Sequence, residues 1–256
     1  MTLLKFSTGN AKLGKRLIFS LPAGYTCPNA GVCKTFSDRI TGKIQDLPQT
    51  NNTDAAPYRC FAASSEARSP QCRAARWHNW DLLKETMVPI NNPTEKVEAL
   101  QMLITQSIDA KDPKSKIDLV RIHESGDFWS ELYFLAWLEV ARKNPARKYY
   151  AYTKQLQLWL NHMANIPSNF YLTASQGGNL DPLLKSHAHK FIRISHVVYS
   201  QMEADSLGLS IDHDDSHCFG TKPFALLVHG TQPKGSVAGK SIQDRKRNGD
   251  FVGYHK

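Results

Sequence analysis

The segments IDLVRIH (residues 117–123), KYYAYT (148–153) and NFYLTAS (169–175) decide the fold class of this 256-residue chain. Each is rich in aliphatic, β-branched or aromatic residues and is predicted to be a strand. Ser130 caps a predicted helix between the first two, and residues 155–164 form a predicted helix between the second and third. Strands separated by helix-length segments indicate right-handed crossovers and a mainly parallel sheet.

The same rhythm extends in both directions. Residues 16–21, 191–198 and 224–229 are predicted strands, and Ser69-Pro70 and Asn92-Pro93 have the cap and first-turn proline typical of helix starts. We therefore expect an α/β protein with about six strands, arranged as an incomplete (β/α) barrel with a mainly parallel sheet. A flat, doubly wound sheet is the alternative.

We expect one α/β domain over residues 1–256, because the chain is long enough for a single core. Its two distinct regions would be a cysteine-bearing loop region at about 22–75 and a basic C-terminal tail at about 232–256. Further predicted loops are a long surface loop at 37–57, a charged connector at 109–116 and an acidic loop at 203–217.

The chain is basic, with 32 Lys and Arg against 23 Asp and Glu, a formal net charge of +9. Such a surplus favours polyanionic partners, so a nucleotide or a nucleic acid is the predicted partner of the basic surface. No apolar run approaches the ~18 residues of a membrane span, and residues 1–15 lack the apolar core of a secretory signal. We expect no membrane partner and a cytoplasmic location.

Polar residues follow the predicted strands at their carboxyl ends, which converge on one rim in parallel α/β folds. Alternatively, each is a capping or turn residue, but the set exceeds what turns require. Candidates for acid–base catalysis are His123, Glu124, Asp127 and Lys154. Candidates for substrate binding are Ser125, Gly126, Ser175, Gln176 and His229.

Two common enzyme classes are not indicated. Ser175 lacks the flanking glycines of the hydrolase nucleophile elbow. Gly235 and Gly239 precede Lys240-Ser241 with one residue too few between them for a phosphate-binding P-loop.

The five cysteines are Cys27, Cys33, Cys60, Cys72 and Cys218. An odd number without an export signal argues against a disulfide framework. The paired C-x2–4-C knuckles of structural zinc sites are absent, whereas iron–sulfur clusters accept more varied spacing. Cys27, Cys33 and Cys60 are therefore predicted ligands of an iron–sulfur cluster, and Cys218 is either the fourth ligand or a loop cysteine. Zinc is the alternative metal.

Cys72 is either a packed helix cysteine or a substitute fourth ligand. It lies in an arginine-rich stretch, which would lower the pKa of its thiol.

Several motifs resemble the phage gene product 88 family. They are FSLPAGYTCP (19–28), RCFAAS (59–64), RIHESGDF (121–128) and YAYTK (150–154), with a similar closing segment at 224–236. The resemblance covers roughly residues 16–240. It implies a phage or prophage protein that acts in the host cell cytoplasm.

The arrangement also resembles, more distantly, the radical SAM enzymes, which have a partial α/β barrel and three cluster cysteines after the first strand. That resemblance implies a [4Fe-4S] cluster with one open iron that binds S-adenosylmethionine (SAM). The usual spacing is C-x3-C-x2-C. Here five residues separate Cys27 from Cys33 and 26 separate Cys33 from Cys60, so the chain departs from the pattern.

Two functional hypotheses follow. The first is an iron–sulfur redox or radical SAM-like enzyme that acts at the carboxyl-end rim of the barrel. The second is a non-catalytic protein, stabilised by an iron–sulfur cluster or zinc, that binds nucleic acid or a host protein. For the second, Trp77, Trp80, Trp129 and Trp159 are either base-stacking or core residues.

Overall fold

A computed structural model describes residues 2–9, 13–46 and 58–250. Its strands are β1 (Leu17–Ile18), β2 (Thr35–Ser37), β3 (Ile44–Asp46), β4 (Leu119–Ile122), β5 (Lys148–Thr153), β6 (Phe170–Ser175), β7 (Ile194–Val198) and β8 (Phe224–Leu227). Its α-helices are α1 (Phe61–Arg68), α2 (Pro70–Met87), α3 (Pro93–Lys111), α4 (Glu131–Lys143), α5 (Leu156–His162), α6 (Pro182–Ser186), α7 (Gln201–Ser206) and α8 (Val237–Arg247).

Six strands form one parallel sheet in the order β1-β4-β5-β6-β7-β8. Each new strand joins the same growing edge, so right-handed crossovers carry the connecting helices to one face. A doubly wound sheet needs a reversal of strand order, and this sheet has none. The incomplete α/β barrel is confirmed as a six-strand parallel half-barrel.

The two faces of the half-barrel differ in chemistry. Val120 and Ile122 of β4 are fully buried in the main core beneath the helices. Arg121, between them, belongs to the opposite, concave face because successive side chains alternate across a strand. Tyr150 and Tyr152 of β5 share that face, where both hydroxyls donate to a buried aspartate. The interior of the half-barrel is therefore aromatic and charged.

The helix starts follow the sequence closely. The Ser130 side chain accepts a hydrogen bond from the Tyr133 backbone N–H at 3.3 Å at the start of α4. Asn92 caps α3 through the Thr94 backbone N–H at 2.8 Å, and Ser69 caps α2. These caps satisfy amides that have no partner within their helices, which confirms the three predicted starts.

The predicted acidic loop at 203–217 contains helical structure and buries two of its aspartates. It includes the end of α7 and leads into a 3₁₀ helix at Ser216–Phe219. Asp212 and Asp215 are both 1% exposed. Cys218 is fully buried in a cluster on the concave face with Tyr150 and Phe224. This segment closes one part of the half-barrel interior.

Three other loop predictions are corrected. Ser37 ends β2, which pairs with β3 in an antiparallel hairpin, so the predicted 37–57 loop contains strand structure; its remainder, 47–57, lies outside the described residues. The predicted loop region at 22–75 contains α1, and the predicted connector at 109–116 begins inside α3.

The predicted C-terminal tail contains α8. Its start is capped by Ser236, which accepts from the Gly239 backbone N–H at 3.0 Å. Ala238 is fully buried, and the buried Arg245 side chain donates to the Val228 carbonyl after β8. The basic segment is therefore a docked helix.

The tryptophans proposed for base stacking pack against other rings. Trp80 and Trp129 meet edge to face at 4.8 Å, and Trp77 meets Tyr25 at 4.9 Å. Trp159 is 5% exposed and contacts Phe191. In the part of the chain that the structure describes, no helix combines the length and apolar character needed to cross a bilayer.

Replacing Leu100 with alanine should destabilise the fold strongly. Leu100 is fully buried in the main core, and such truncations cost about 2–5 kcal/mol through lost burial and the cavity left behind. Met102→Ala on the same helix is the control, since Met102 is 55% exposed and exposed substitutions stay within about 0.5 kcal/mol. Urea denaturation measures both; equal effects would contradict the assigned orientation of α3.

Candidate functional site

A cavity of about 560 Å³ opens at the carboxyl ends of the parallel strands. Its volume lies within the range of small-molecule sites. Every predicted site residue except Gln176 and Cys218 lines it: Cys27, Cys33, Cys60, His123, Glu124, Ser125, Gly126, Asp127, Lys154, Ser175 and His229. The predicted convergence of the strand ends therefore places these residues around one space.

The loop after β4 is fitted tightly against the loop after β1. The Leu21 backbone N–H donates to the Ser125 carbonyl at 2.9 Å, and that of Asp127 donates to the Thr26 carbonyl at 3.1 Å. Gly126 has a positive φ of 89°, and a Cβ there would lie 2.6 Å from Thr26 Oγ1. Glycine is required because both the conformation and the space exclude a side chain.

The loop that carries Cys27 and Cys33 is also joined to the loop after β6. The Val32 backbone N–H donates to the Gly177 carbonyl at 3.0 Å, and a Cβ on Gly31 would lie 2.7 Å from that oxygen. The amides of Gly177 and Gly178 donate to the Asp181 carboxylate at 2.8 and 2.9 Å. The glycine pair thus serves loop packing, and its amides already have a partner.

The three cysteines come from separate segments. Cys27 follows β1, Cys33 precedes β2, and Cys60 directly precedes α1. The hairpin returns the chain to its starting point, because the Cys60 backbone N–H donates to Thr35 Oγ1 at 3.3 Å. Arg59 is also paired with Asp46 at the end of β3, with 2.8 Å between Nε and Oδ1.

The cysteine thiols influence one another's ionisation. Burial is the largest cause of a raised pKa at Cys27, with Asp127, Cys60 and Cys33 acting in the same direction. Burial and the neighbouring Cys33 raise the pKa of Cys60 to about 11. The metal-free thiols of Cys27 and Cys60 are therefore protonated at neutral pH.

The other two cysteines lie elsewhere. Cys218 belongs to the interior cluster described above and does not line the cavity. Cys72 lies on α2 and also does not line it. Burial raises the pKa of the Cys72 thiol and outweighs the opposing effect of Arg76, so the predicted lowering is wrong.

Asp127 and Lys154 are bonded within the cavity wall. The Asp127 carboxylate accepts from Thr153 Oγ1 at 2.6 Å and from the Lys154 backbone N–H at 2.8 Å. Burial raises the pKa of Asp127, although these bonds oppose the shift. Lys154 Nζ donates to the Ser175 carbonyl and hydroxyl, both at 2.9 Å, and to the Gln176 carbonyl at 2.7 Å. These contacts hold adjacent strand ends together.

His123 and Glu124 differ in accessibility. His123 is 3% exposed, with Nε2 at 2.8 Å from the Tyr133 hydroxyl and no hydrogen-bond partner for Nδ1 among the described residues. Burial lowers the pKa of His123 to about 3, so its ring is neutral at physiological pH. The Glu124 side chain is 31% exposed and lies 3.3 Å from Arg76. Glu124 is the most accessible of the four proposed acid–base residues.

A buried ion pair supports the rim. Glu66 Oε1 lies 2.9 Å from Arg76 Nη1 and accepts from the Ala23 backbone N–H at 2.9 Å. Arg76 also donates to the Ala62 carbonyl. Sequence reasoning missed this pair because helix periodicity does not distinguish an inward-facing charged residue from one on a solvated face.

A second charged group at the inner end of the cavity was also missed. Arg121 and Asp215 both line the cavity, and Arg121 Nη1 lies 2.8 Å from Asp215 Oδ2. Arg16 Nη1 is 3.9 Å from the same oxygen. The alternation of β4 signals that Arg121 faces away from Val120 and Ile122. The position of Asp215, about 90 residues later, has no local signal.

Across residues 2–9, 13–46 and 58–250, no group of three or more His, Cys, Asp or Glu side chains is arranged to hold a metal ion. A single zinc ion needs its ligands at 2.0–2.3 Å from one point. The thiols at the rim are therefore close enough to interact electrostatically without forming a ready site for one ion.

The family model "Gene product 88" matches residues 2–250. Two similar proteins, both named "Gene 88 protein", come from Mycobacterium phage L5 and Mycobacterium phage D29. They are 28% and 27% identical to this chain over 148 residues. These matches cover 57% of this chain and 51% and 50% of the relatives, so the aligned part spans about half the length of each relative. No solved structure matches.

Acidification should destabilise the protein through His123. Its folded pKa of about 3 lies below the unfolded value of about 6.5, so the unfolded state binds more protons between these values. The contribution of His123 to the free energy of unfolding is fully present above pH 6.5. Below pH 6.5 it falls by up to ~1.4 kcal/mol per pH unit.

The measurement is urea denaturation at pH 7 and pH 5 for the wild type and His123→Asn. Asparagine tolerates the positive φ of 66° at this position and does not titrate. The raised pKa of Asp127 stabilises the folded state as the pH falls, opposite to the effect of His123. Because Asp127 is present in both proteins, its effect cancels in the comparison. An identical pH dependence in both proteins would refute a buried neutral His123.

Proposed function

The chain belongs to the Gene product 88 family, and from that premise and the cavity geometry we propose that it is an iron–sulfur enzyme in which Cys27, Cys33 and Cys60 hold a [4Fe-4S] cluster. The cavity at the carboxyl-end rim would be the active site. All five cysteines are free thiols, which suits the reducing cytoplasm of a host cell.

The observation that carries the proposal is the convergence of three thiols from separate segments on one cavity. Cys27 and Cys33 lie on a loop that is hydrogen-bonded to the loop after β6, and the Cys60 backbone N–H is hydrogen-bonded to Thr35. Structural cysteines have no need to share a cavity with a set of polar strand-end residues. This arrangement favours a shared ligand over separate packing roles.

The surroundings of the thiols fit a cluster better than one zinc ion. Thiolates of an iron–sulfur cluster bind different iron atoms, so they need not meet at one point. Ala23, Ala62 and Ala63 pack around Cys60 and keep its surroundings small and apolar. The amides of Ala62 and Ala63, at the start of α1, lower the pKa of Cys60 against the effect of burial, and so favour its thiolate.

A cluster held by three protein thiolates would supply electron transfer and one iron open to a further ligand such as SAM. The protein's own residues would then shape the remaining space. Asp127 and Lys154 hold the strand ends in place, and neutral His123 lies in the wall. Glu124, partly exposed, is the proposed group for moving a proton, and Ser125, Ser175 and His229 would contact the substrate.

The basic surface supports a nucleotide or a nucleic acid as the substrate. Lys240, Lys246 and Arg247 are exposed on α8, and Arg68 is exposed at the cavity. The formal net charge of +9 would attract phosphates. The tryptophans pack internally, so electrostatic contacts rather than ring stacking would provide this attraction.

Metal analysis tests the cluster directly. We expect near-stoichiometric iron and sulfide after anaerobic purification of the wild type. Cys27→Ala, Cys33→Ala and Cys60→Ala should each lose most of the iron and sulfide, because each removes a proposed ligand.

Cys72→Ala and Cys218→Ala are the matched controls, since neither cysteine lines the cavity. Both should retain the iron and sulfide. Loss in Cys218→Ala with an unchanged circular dichroism spectrum would indicate a four-cysteine cluster and overturn the open iron. Zinc alone in the wild type, lost in the three rim variants, would favour the non-catalytic, metal-stabilised protein, and no metal in any of the proteins would reject both.

SAM turnover tests the enzymatic part. With a chemical reductant supplying one electron per event and an organic buffer component supplying one hydrogen atom, the reconstituted wild type should convert SAM to methionine and 5′-deoxyadenosine. Cys33→Ala should show no product above the protein-free background, whereas Cys72→Ala should match the wild type. An intact cluster without SAM binding or cleavage would retain the iron–sulfur assignment and reject SAM as its ligand.

A further inference from the structure

The inner end of the cavity carries an arginine with one unused hydrogen-bonding edge. Arg121 is 9% exposed and lines the cavity. Its Nη1 faces Asp215 at 2.8 Å, and its guanidinium lies over the Tyr152 ring at 5.4 Å. Among the described residues, Nε and Nη2 have no hydrogen-bond partner. The group is thus held on one side and unoccupied on the other.

Asp215 already serves several donors. It lies near both Arg16 and Arg121, at 3.9 and 2.8 Å. It also accepts from the hydroxyls of Tyr150 at 2.9 Å and Tyr152 at 3.3 Å. One carboxylate therefore faces two guanidinium groups in the half-barrel interior.

The other carboxylate that interacts with Arg121 is paired with a different arginine. Glu124 interacts electrostatically with Arg121, but its Oε2 lies 3.3 Å from Arg76 Nη2. Neither carboxylate is hydrogen-bonded to the Nε side of Arg121, where an anion would add charge-assisted hydrogen bonds.

We propose that this end of the cavity is an oxyanion subsite, in which Nε–H and Nη2–H of Arg121 bind a carboxylate or phosphate group of the substrate. Two adjacent N–H groups of a guanidinium match two oxygens of such a group in a bidentate pair. Because Arg121 and the three cysteines line the same cavity, the substrate would extend from this subsite towards the rim.

This inference adds a substrate class to the proposed function and rests on it only for the reaction. The binding step uses Arg121 alone and needs no cluster. It can therefore be tested on metal-free protein, and Cys27→Ala should bind the anion as the wild type does.

The first experiment is a titration with inorganic phosphate and, separately, with acetate. In ¹H–¹⁵N spectra of the arginine Nε–H groups, the Arg121 signal is identified by its loss in Arg121→Lys. We expect a saturable shift of that signal, and the anion with the lower half-saturation concentration identifies the preferred group. An unmoved Arg121 signal at saturating concentrations of both anions would overturn the proposal.

Calorimetry with the preferred anion gives the affinities of the variants. Arg121→Lys retains the charge but loses the fork, so binding should weaken at least tenfold. Arg142→Gln should stay within twofold of the wild type, because Arg142 is exposed on α4 and does not line the cavity. Equal affinity in Arg121→Lys, or an equal loss in Arg142→Gln, would indicate general attraction to a basic surface and reject the subsite.

A folding control completes the test. Arg121→Met leaves Arg16 as the remaining guanidinium beside Asp215, a balanced pair, and should also lose binding. Circular dichroism and the melting temperature verify that each variant folds. If Arg121→Lys does not fold, Arg121→Met replaces it in the calorimetric comparison, and unweakened binding there would reject the proposal.

Discussion

The buried carboxylate of Glu66 is the contact on which the candidate site depends most. It is fully buried and joins three parts of the chain: the Ala23 amide in the loop after β1, Arg76 on α2, and Ser125 after β4. Burial of an ion pair is costly, and further hydrogen bonds are what make it tolerable. Burial raises the pKa of Glu66, and the pairing with Arg76 opposes that shift. The pair therefore fixes the relative positions of the loops that carry Cys27, Cys60 and the 123–127 segment.

The cavity has two chemically different ends. At the rim, Cys27 and Cys60 are half-buried thiols with raised pKa values, and His123 is neutral. At the inner end, Arg121 and Asp215 carry opposite charges in a network with two tyrosine hydroxyls. The thiols at the rim would have to release their protons to bind a metal or a cluster, whereas the charged inner end would orient a polar substrate. One cavity thus separates the two tasks that an enzyme of the proposed kind requires.

The parallel sheet was predictable because its signals are local. The strand β5 matches the predicted residues 148–153, and Ser130 caps α4 as expected. The rim residues followed from one geometric rule, that parallel strands end on the same side. By contrast, the burial of Asp215 and the pairing of Glu66 with Arg76 depend on contacts between distant segments. In a single sequence, such acidic and basic residues are indistinguishable from those on a solvated surface. The helix α8 was missed for the same reason, because its charged residues suggested a tail.

The irregular spacing of the cysteines follows from the path of the chain between them. Spacing in the sequence is therefore a weak guide to which cysteines lie close together at this rim. Between Cys33 and Cys60 the chain forms the β2–β3 hairpin, and antiparallel pairing places Asp46 opposite Thr35. Arg59 binds Asp46, and the Cys60 amide binds Thr35, only two residues after Cys33. A long excursion that returns to its origin adds sequence length without adding distance between its ends. The proximity of two cysteines therefore depends on where the intervening strands pair, and a compact motif is one of several ways to achieve it.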